Sequence, residues 1–459
     1  MNATSALIAT DFRHVNFGDT RLVLRFSKIV KQIASKPSAS IPESFDSWGQ
    51  TKAVYRFFSN PEVKPDTIID GISQSTVDRI RKEKVILCPV DTTSFSLAGR
   101  KKTSGLSKLN QNTNGFLMHS ALAVTECGTP IGLMECKFWA HEKKDENRNI
   151  EKLPITKKES VRWLESLQAL ESKVPKNVKA IMIGDRESDI YDVFAAKQAD
   201  NVDLLVRMAH NRIINNGNEK LFDFLANSPL VGEMTARIGR MQDGSLREAK
   251  LELRYQKISL PAPREGIRQI KKNLILWAIE VREVDAPETV ENPVLWRLIT
   301  TMEIKSLANA FKYVDYYAKR WLIERFHFTL KSGCTVEKLQ LRSMERLASA
   351  IATYSAVACR LLNMTYLARV SPSSRCDAIL RQDEWKALCC FSSKKSTSPL
   401  KPPPLSKAVW LIAKLGGFLG RKSDGNPGVK VLWRGMTRLS DITETYNIFK
   451  KEPNVVDAG

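Results

Sequence analysis

The sequence predicts a mixed α/β protein, in which a mixed sheet carrying helices is flanked by helical regions at both ends of the chain. Helical spacing of apolar residues dominates residues 1–75 and the chain from Ser306 onward. Runs rich in Val, Ile and aromatic residues dominate about 80–303, and Gly, Pro and Asn punctuate them. Three strand-like runs, followed by helix, strand, helix and strand, indicate a mixed sheet with helices packed on it.

The N-terminal region, residues 1–75, is predicted to be a helical DNA-binding domain. Asp19 can cap a helix whose apolar residues recur at helical spacing, and the opposite face of that helix is basic. A Pro/Ser break ends it, and a second helix follows in TKAVYRFFSN. Short helices with basic faces suit a duplex-binding module, although a merely solvated face is an equally good interpretation. The candidate DNA-reading residues are Arg21, Lys28, Lys52 and Arg56.

The central region, residues 76–368, is predicted to be the α/β domain of the chain, and the resemblance described below makes it the catalytic domain. Its strands are VILCPVDTTSFSL, FLMHSALAVT, PIGLMECKFWA, the start of NVKAIMIGDRESDIYDVFAAKQA, and DLLVRMA. Residues of about 211–303 look like a separate, mainly antiparallel β insertion within this domain. A Pro/Ser/Lys linker, KKSTSPLKPPPLSK, precedes the small basic end of the chain, and residues 369–459 are predicted to form a helical C-terminal domain.

Charge and composition narrow the function. The 459 residues include 71 Lys and Arg against 50 Asp and Glu, which gives a net charge of +21. Nucleic acid is the default partner of such a chain, because Lys and Arg contacts to phosphate release counterions. We expect no membrane span, because no apolar run reaches about 18 residues, and no signal peptide is visible. The eight scattered cysteines fit reduced core residues of a cytoplasmic protein better than a zinc framework.

Three carboxylates stand out by their context. Asp91 lies at the end of or within an apolar strand, Asp185 lies at the carboxyl end of another, and Glu324 lies in a long predicted helix. A carboxylate in such a place is costly unless it is paired, hydrogen-bonded or bound to metal, and an all-oxygen pocket of this kind suits Mg²⁺ or Mn²⁺. Each residue also has a plainer interpretation. Asp91 could be a turn residue, Asp185 a helix cap, and Glu324 a partner of Arg320.

The predicted helix favours the functional interpretation. Tyr317, Arg320, Glu324 and Lys331 fall within about 60° of one another on a regular α-helix. One stripe would therefore carry a hydroxyl, a guanidinium, a carboxylate and an ammonium, which suits a metal ligand flanked by cations for phosphates. The neighbouring residues expected in the core are Val314, Trp321, Ile323 and Phe326.

These residues form a recognisable pattern. The spacing Y-x2-R-x3-E-x6-K resembles the signature of the bacterial insertion-sequence transposases of family four, which include the transposase of transposon five. DTTS at Asp91 and GDRESDI at Asp185 resemble the first two acidic motifs of that family. VYRFFSNPEV near the start and AKLGGFLGR near the end resemble further family segments. The five blocks stand in the family's order and cover nearly the whole chain.

The resemblance implies a ribonuclease-H-like core with a DDE triad of Asp91, Asp185 and Glu324, which would also be the metal ligands. It implies cut-and-paste transposition by Mg²⁺-dependent phosphoryl transfer, with Mn²⁺ as a substitute. The steps are strand nicking, hairpin formation, hairpin opening and strand transfer. The implied partners are the terminal inverted repeats, target DNA and a second subunit in a paired-end complex. Rival interpretations are a ribonuclease-H-like DNA nuclease and an inactive regulator that binds the ends.

The resemblance also assigns DNA contacts. Trp296 falls where the family keeps a tryptophan that stacks on a flipped base, although it could instead fill the core of the insertion. Two departures stand close to the motif glutamate: Arg325 replaces a common acidic residue, and Phe328 stands where some relatives have a basic one. The segment AVWLIAKLGGF could pair two subunits or could equally be a buried helix. The residues expected to contact phosphates are Arg207, Tyr317, Arg320 and Lys331.

Overall fold

The computed structural model describes residues 10–100, 102–141, 154–217, 219–240, 246–262, 272–288 and 290–451. The chain divides into two compact units. The first unit consists of Met1–Lys82, Thr92–Lys143 and Leu322–Gly459, and the second consists of Glu83–Asp91 and Lys144–Trp321. These units cut the chain at other places than 1–75, 76–368 and 369–459, so that three-domain division stays a prediction.

The first unit begins with a helical region built around aromatic side chains. Asp19 caps its first long helix by accepting a hydrogen bond from the backbone N–H of Arg21 at 2.8 Å, as the sequence predicts. Phe26 of this helix is buried, and its ring stacks on that of Phe57 with 5.7 Å between ring centroids. The helices of this region are α1 (Thr20–Ser35), α2 (Ile41–Ser44), α3 (Trp48–Phe58) and α4 (Pro65–Ile80).

A small group of strands follows in the first unit. Strand β3 is antiparallel to both β2 and β4, and the last residues of β1 lie beside it. Gly115 of β3 is required at this point, because a Cβ there would lie 2.0 Å from the carbonyl oxygen of Phe95 in β1. The strands are β1 (Val85–Ser96), β2 (Ser107–Asn110), β3 (Thr113–Thr125) and β4 (Pro130–Trp139).

The second unit contains a mixed sheet. The first residues of β1 pair in parallel with β5 (Lys179–Gly184), and β5 pairs in parallel with β6 (Val202–Arg207). Apolar residues fill both faces of these strands, as expected for a parallel sheet covered by helices. The helices of this unit are α5 (Val161–Lys173), α6 (Tyr191–Ala196), α7 (Leu221–Ala226) and α8 (Leu307–Ala318).

The β-rich insertion extends the sheet of the second unit. It is mainly antiparallel, as expected, but it does not form a separate sheet, because β12 pairs with β6 through Leu298 and Arg207. The sequence could not show this contact, which depends on pairing between distant segments. The strands are the short pair β7 (Ile213–Ile214) and β8 (Glu219–Lys220), followed by β9 (Gly232–Arg240), β10 (Leu246–Leu260), β11 (Leu274–Val284) and β12 (Leu295–Thr300).

Helices close the chain in the first unit. Helix α10 is the only described helix long and apolar enough to cross a membrane, but 89% of its most apolar window is buried inside the protein. Its environment is therefore that of a core helix. The helices are α9 (Leu322–Phe328), α10 (Met344–Val370), α11 (Gln382–Ser393), α12 (Leu405–Leu415) and α13 (Val429–Lys451).

The predicted fold class is confirmed. The protein is a mixed α/β chain with a mixed sheet and with helical parts at both ends. Three long strands, β1, β3 and β4, with the short β2 between the first two, precede β5 and β6, each of which is reached through a helical segment. This chain order agrees with a ribonuclease-H-like core.

Candidate active site

Asp91 lies within β1 and Asp185 directly follows β5, the neighbouring parallel strand of the second unit. The pairing of β1 with β5 runs from Val85 opposite Lys179 to Pro89 opposite Ile183. If this register continued for two more residues, Asp91 would lie opposite Asp185. Both aspartates therefore lie just beyond the same end of this parallel pairing, side by side on neighbouring chain segments.

Asp185 also caps the turn that follows it. Its Oδ1 accepts a hydrogen bond from the backbone N–H of Glu187 at 2.9 Å, at the start of the 3₁₀ turn Arg186–Ser188. The capping interpretation of this residue is therefore correct for one carboxylate oxygen. The cap orients the side chain at the strand end, which is compatible with a second contact through the other oxygen.

Four predicted DNA contacts converge near Asp91 in the second unit. The guanidinium groups of Arg207 and Arg320 both hydrogen-bond the Tyr317 hydroxyl, and Arg320 Nη1 lies 3.7 Å from Asp91 Oδ2. The Trp296 ring packs edge-on against Tyr317, with 5.3 Å between ring centroids. We call Arg207, Trp296, Tyr317 and Arg320 the tyrosine cluster. It assembles β6, β12, α8 and the turn after α8 beside one carboxylate.

Burial shapes the chemistry of this cluster. Tyr317 is 4% exposed, and desolvation raises the pKa of its hydroxyl, although both arginines act against that rise. The hydroxyl is therefore a neutral group that accepts from two cations. Trp296 is half-buried on β12 rather than enclosed, so its ring retains an accessible part. Its position agrees with stacking, while its contact with Tyr317 also serves packing.

The other two motif residues, Glu324 and Lys331, belong to the first unit. Glu324 is an exposed residue in the first turn of α9. Lys331 lies on a π-helical turn, Thr329–Gly333, with its Nζ 5.6 Å from the centre of the Phe95 ring. Burial is the main cause that lowers the pKa of its ammonium group, and Glu337 partly opposes the change.

The single regular helix assumed for the motif is wrong. The 3₁₀ turn Lys319–Trp321 separates α8 from α9, and the π turn Thr329–Gly333 follows α9 directly. An angle of 100° per residue does not hold through either turn, so the stripe cannot be derived from spacing alone. Trp321 is also not a core residue, because it is 44% exposed, whereas Val314, Ile323 and Phe326 are buried as expected.

The oxygen donors of Asp91 and Asp185 bear on whether a metal ion could bind here. In the described residues, no group of three or more His, Cys, Asp or Glu side chains is close enough to hold a metal ion. Mg²⁺, however, is commonly bound by one or two carboxylates together with waters and substrate phosphates. Asp91 and Asp185, just beyond the paired residues of β1 and β5, fit that pattern with oxygen donors alone.

Two buried contacts beside the motifs were missed by the sequence reasoning. In the second unit, Asp189 is fully buried, forms an ion pair with Arg212, and accepts from the backbone N–H groups of Ala209 and His210 at 2.8 and 3.2 Å. In the first unit, Ser120 Oγ lies 2.9 Å from His327 Nε2. The signal for Asp189 was its place in GDRESDI; the pairing of Ser120 with His327 left no trace in the sequence.

The N-terminal helices form a basic groove. A cavity of about 730 Å³ lies between α1 and α3, with no acidic residue in its lining. Of the four predicted reading residues, Arg21 and Lys28 line it, while Lys52 and Arg56 are exposed on α3 outside the lining. The Lys52 ammonium lies 5.3 Å from the centre of the exposed Trp48 ring. Positive charge around partly apolar walls suits a DNA backbone.

The segment AVWLIAKLGGF is largely a buried helix of the first unit. Val409 and Ile412 of α12 enter a core cluster that also includes Leu432 of α13. Its packing is tight, because a Cβ at Gly416 would lie 1.8 Å from the carbonyl oxygen of Val431. Trp410, on the other face, is 41% exposed. The buried-helix interpretation therefore describes most of the segment, and only the Trp410 face remains for a partner.

Comparisons with known proteins agree with these sites at both ends of the chain. Residues 5–63 match the family described as transposase DNA-binding, and residues 356–450 match the family described as transposase Tn5 dimerisation domain. A solved piggyBac transposase synaptic complex with hairpin DNA is 11% identical, with a TM-score of 0.38; the match covers 99% of this chain and 78% of that one. A likeness that weak supports no inference. The two domain matches confirm the resemblance of this chain to Tn5-like transposases of insertion-sequence family four.

Proposed function

We propose that the protein is a DNA transposase that cuts its own insertion sequence free and inserts it elsewhere by metal-dependent phosphoryl transfer. The observation that supports this most is the tyrosine cluster, which collects Arg207, Trp296, Tyr317 and Arg320 beside Asp91 in one unit. The domain matches add DNA binding at one end of the chain and dimerisation at the other.

The acidic residues would hold the metal. Asp91 and Asp185 are proposed from their places just beyond the β1–β5 pairing, and Glu324 is proposed from its motif. A Mg²⁺ held there would supply activation of the attacking water or hydroxyl and stabilisation of the leaving oxygen in an in-line displacement. The same three residues can serve nicking, hairpin formation, hairpin opening and strand transfer, because each step is an attack on a phosphodiester.

The tyrosine cluster would bind the scissile strand. Two guanidiniums anchored on one buried hydroxyl present fixed donors, and planar guanidiniums suit phosphate oxygens. Their positions are set before DNA arrives, so little side-chain freedom is lost on binding. The accessible part of the Trp296 ring offers a surface for an unstacked base, which a hairpin intermediate requires.

The ends of the chain would supply specificity and pairing. The basic groove between α1 and α3 is proposed to hold the terminal repeat, with Arg21 and Lys28 on phosphates. The exposed Trp410 is proposed to contact a second subunit, within the region that matches a dimerisation domain. Activity would then require two subunits on two ends.

Cleavage of DNA bearing the repeats that flank its gene tests the proposal. With Mg²⁺, the protein should release a blunt or hairpin-ended fragment and insert it into target DNA. Glu324→Gln and Asp185→Ala should abolish cleavage and retain end binding. Glu345→Gln is a matched control, because Glu345 is also an exposed glutamate in the first turn of a helix.

Three outcomes would count against the proposal. Normal cleavage by Glu324→Gln would remove this residue from the triad. Nicking of any duplex without paired ends would favour the nuclease. Tight end binding with no cleavage by the unaltered protein would favour the regulator.

A further inference from the structure

The segment that carries Glu324 is short and irregular. Helix α9 has only seven residues, with a 3₁₀ turn before it and a π turn after it. Its buried residues include Ile323 and Phe326, which are both fully enclosed. Apolar burial stabilises such a helix against a core, but the hydrophobic effect itself is non-directional.

A buried hydrogen bond adds a directional contact to the packing of α9. His327, one turn after Glu324, places its Nε2 2.9 Å from the Oγ of Ser120 on β3. Ser120 is fully buried and His327 is 6% exposed. A hydrogen bond of this length weakens steeply when its geometry is lost, so it resists both rotation and sliding of α9. Breaking it would leave a buried polar group without its partner.

The chemistry of His327 supports a structural bond rather than a proton transfer. Burial lowers the pKa of its imidazole to about 3, and the Lys331 ammonium adds to the change. The ring is therefore neutral throughout the usual working range, and its protonation state does not change during turnover. The Phe326 ring lies beside the imidazole, with 5.5 Å between ring centroids.

The neighbouring residue of β3 makes a matching contact. His119 Nδ1 lies 2.8 Å from the Oγ1 of Thr92, the residue that follows Asp91 in β1. Side chains alternate between the two faces along a strand, so His119 and Ser120 act on opposite faces of β3. His119 and Ser120, two successive residues of β3, thus contact the residue that follows Asp91 and the helix that carries Glu324, respectively.

We infer that Ser120 and His327 are positioning residues, whose hydrogen bond sets Glu324 for the metal. The inference rests on the proposed function, because it needs Glu324 to be a metal ligand. Residues that orient a ligand typically change metal affinity about 10- to 100-fold when they are replaced. Loss of this contact should therefore raise the metal requirement while leaving DNA binding intact.

The test compares four variants of Ser120 and His327 with one control variant at another buried serine. Ser120→Ala and His327→Leu each remove one partner, and the double variant removes both, which avoids an unpaired buried group. His327→Gln keeps a polar atom near the position of Nε2. Ser73→Ala is the control, because Ser73 is equally buried and its hydroxyl donates to the Met134 carbonyl at 2.6 Å elsewhere in the same unit.

Three measurements are needed: end binding without metal, the Mg²⁺ concentration for half-maximal cleavage, and Mn²⁺ binding to the complex with pre-cleaved end DNA by calorimetry. We expect about a tenfold rise in both metal constants for the three disrupting variants. His327→Gln should recover most of the loss, and Ser73→Ala should show none. End binding should be unchanged in every variant.

Unchanged metal constants in the folded double variant would overturn the inference. So would an equal rise in Ser73→Ala, since that would reflect stability alone. Glu324→Gln, measured in parallel, distinguishes a failure of the proposed function from a failure of the role assigned to Ser120 and His327. If Glu324→Gln cleaves normally, the proposed function fails. If it is inactive while the double variant matches the unaltered protein, only the role of Ser120 and His327 fails.

Discussion

The buried carboxylate of Asp189 gives the sharpest prediction about stability and activity together. It accepts from two backbone N–H groups in the loop after β6 and pairs with Arg212. That loop begins two residues after Arg207 of the tyrosine cluster, and Asp189 itself lies four residues after Asp185. Asp189 therefore connects the turn after Asp185 to the loop that follows β6, the strand that ends at Arg207.

The expected losses of stability and of cleavage follow from these contacts. Removing one partner of a buried ion pair costs about 3–5 kcal/mol, because the other charge stays buried. Asp189→Asn keeps an oxygen for the Ala209 N–H, so its cost should be near 3 kcal/mol, while Asp189→Ala should approach 5 kcal/mol. A shift of about 1 Å in the Arg207 strand end would reduce cleavage by roughly 100-fold.

Glu283→Gln is the matched control for this prediction. Glu283 is a buried carboxylate of the same unit, which pairs with Arg247 and accepts from the Val294 N–H at 2.8 Å. Thermal unfolding should show similar losses in Asp189→Asn and Glu283→Gln. End cleavage, compared at a temperature where both are folded, should fall strongly only in Asp189→Asn. Equal losses of cleavage in the two variants would refute the positional argument and leave a purely structural role.

Four further predictions concern single steps or conditions. Trp296→Ala should impair hairpin formation more than first-strand nicking, as resolved on denaturing gels; equal losses would favour packing. Tyr317→Phe removes the shared acceptor of two arginines and should weaken metal-free end binding about tenfold, measured by fluorescence anisotropy. Lys28→Gln and Lys52→Gln should each lower the salt dependence of end binding by about one unit of slope if they contact phosphates. The pKa of His327 is lowered to about 3, so the unfolded chain binds its proton first, and stability is lost as pH falls from about 6.5 towards 3. His327→Gln should show a shallower loss of stability over that window in urea unfolding, by about 1.4 kcal/mol per pH unit, and an identical loss would contradict the neutral buried ring.

Local signals in the sequence predicted local structure well. The cap at Asp19 and the apolar spacing of Phe26 and Ile33 are confirmed, because a cap and a helical face depend on neighbouring residues only. The strand end at Asp185 was predicted for the same reason, whereas Asp91 lies within β1, the other position that its context allowed. The resemblance at both ends of the chain is confirmed by matches that do not include the central motifs.

Contacts between distant segments could not be predicted in this way. The pairing of β12 with β6 and the hydrogen bond between Ser120 and His327 join residues about 90 and 200 positions apart, and no periodicity encodes them. The exposure of Trp321 was also missed, because an aromatic residue beside apolar neighbours normally predicts a core position. Each error arose where tertiary structure overrode a local preference.

The two departures near Glu324 now have a physical explanation. Phe328, which replaces a basic residue of some relatives, packs on Trp433 with 5.8 Å between ring centroids, and the Arg325 guanidinium lies 5.2 Å from the Phe328 ring. Gly333 of the π turn leaves room for the same tryptophan, since a Cβ there would lie 2.7 Å from it. Trp433 belongs to the region that matches a dimerisation domain. This chain therefore uses the position for packing against its C-terminal helix, and a change at Phe328 should act first on that helix and only through it on DNA.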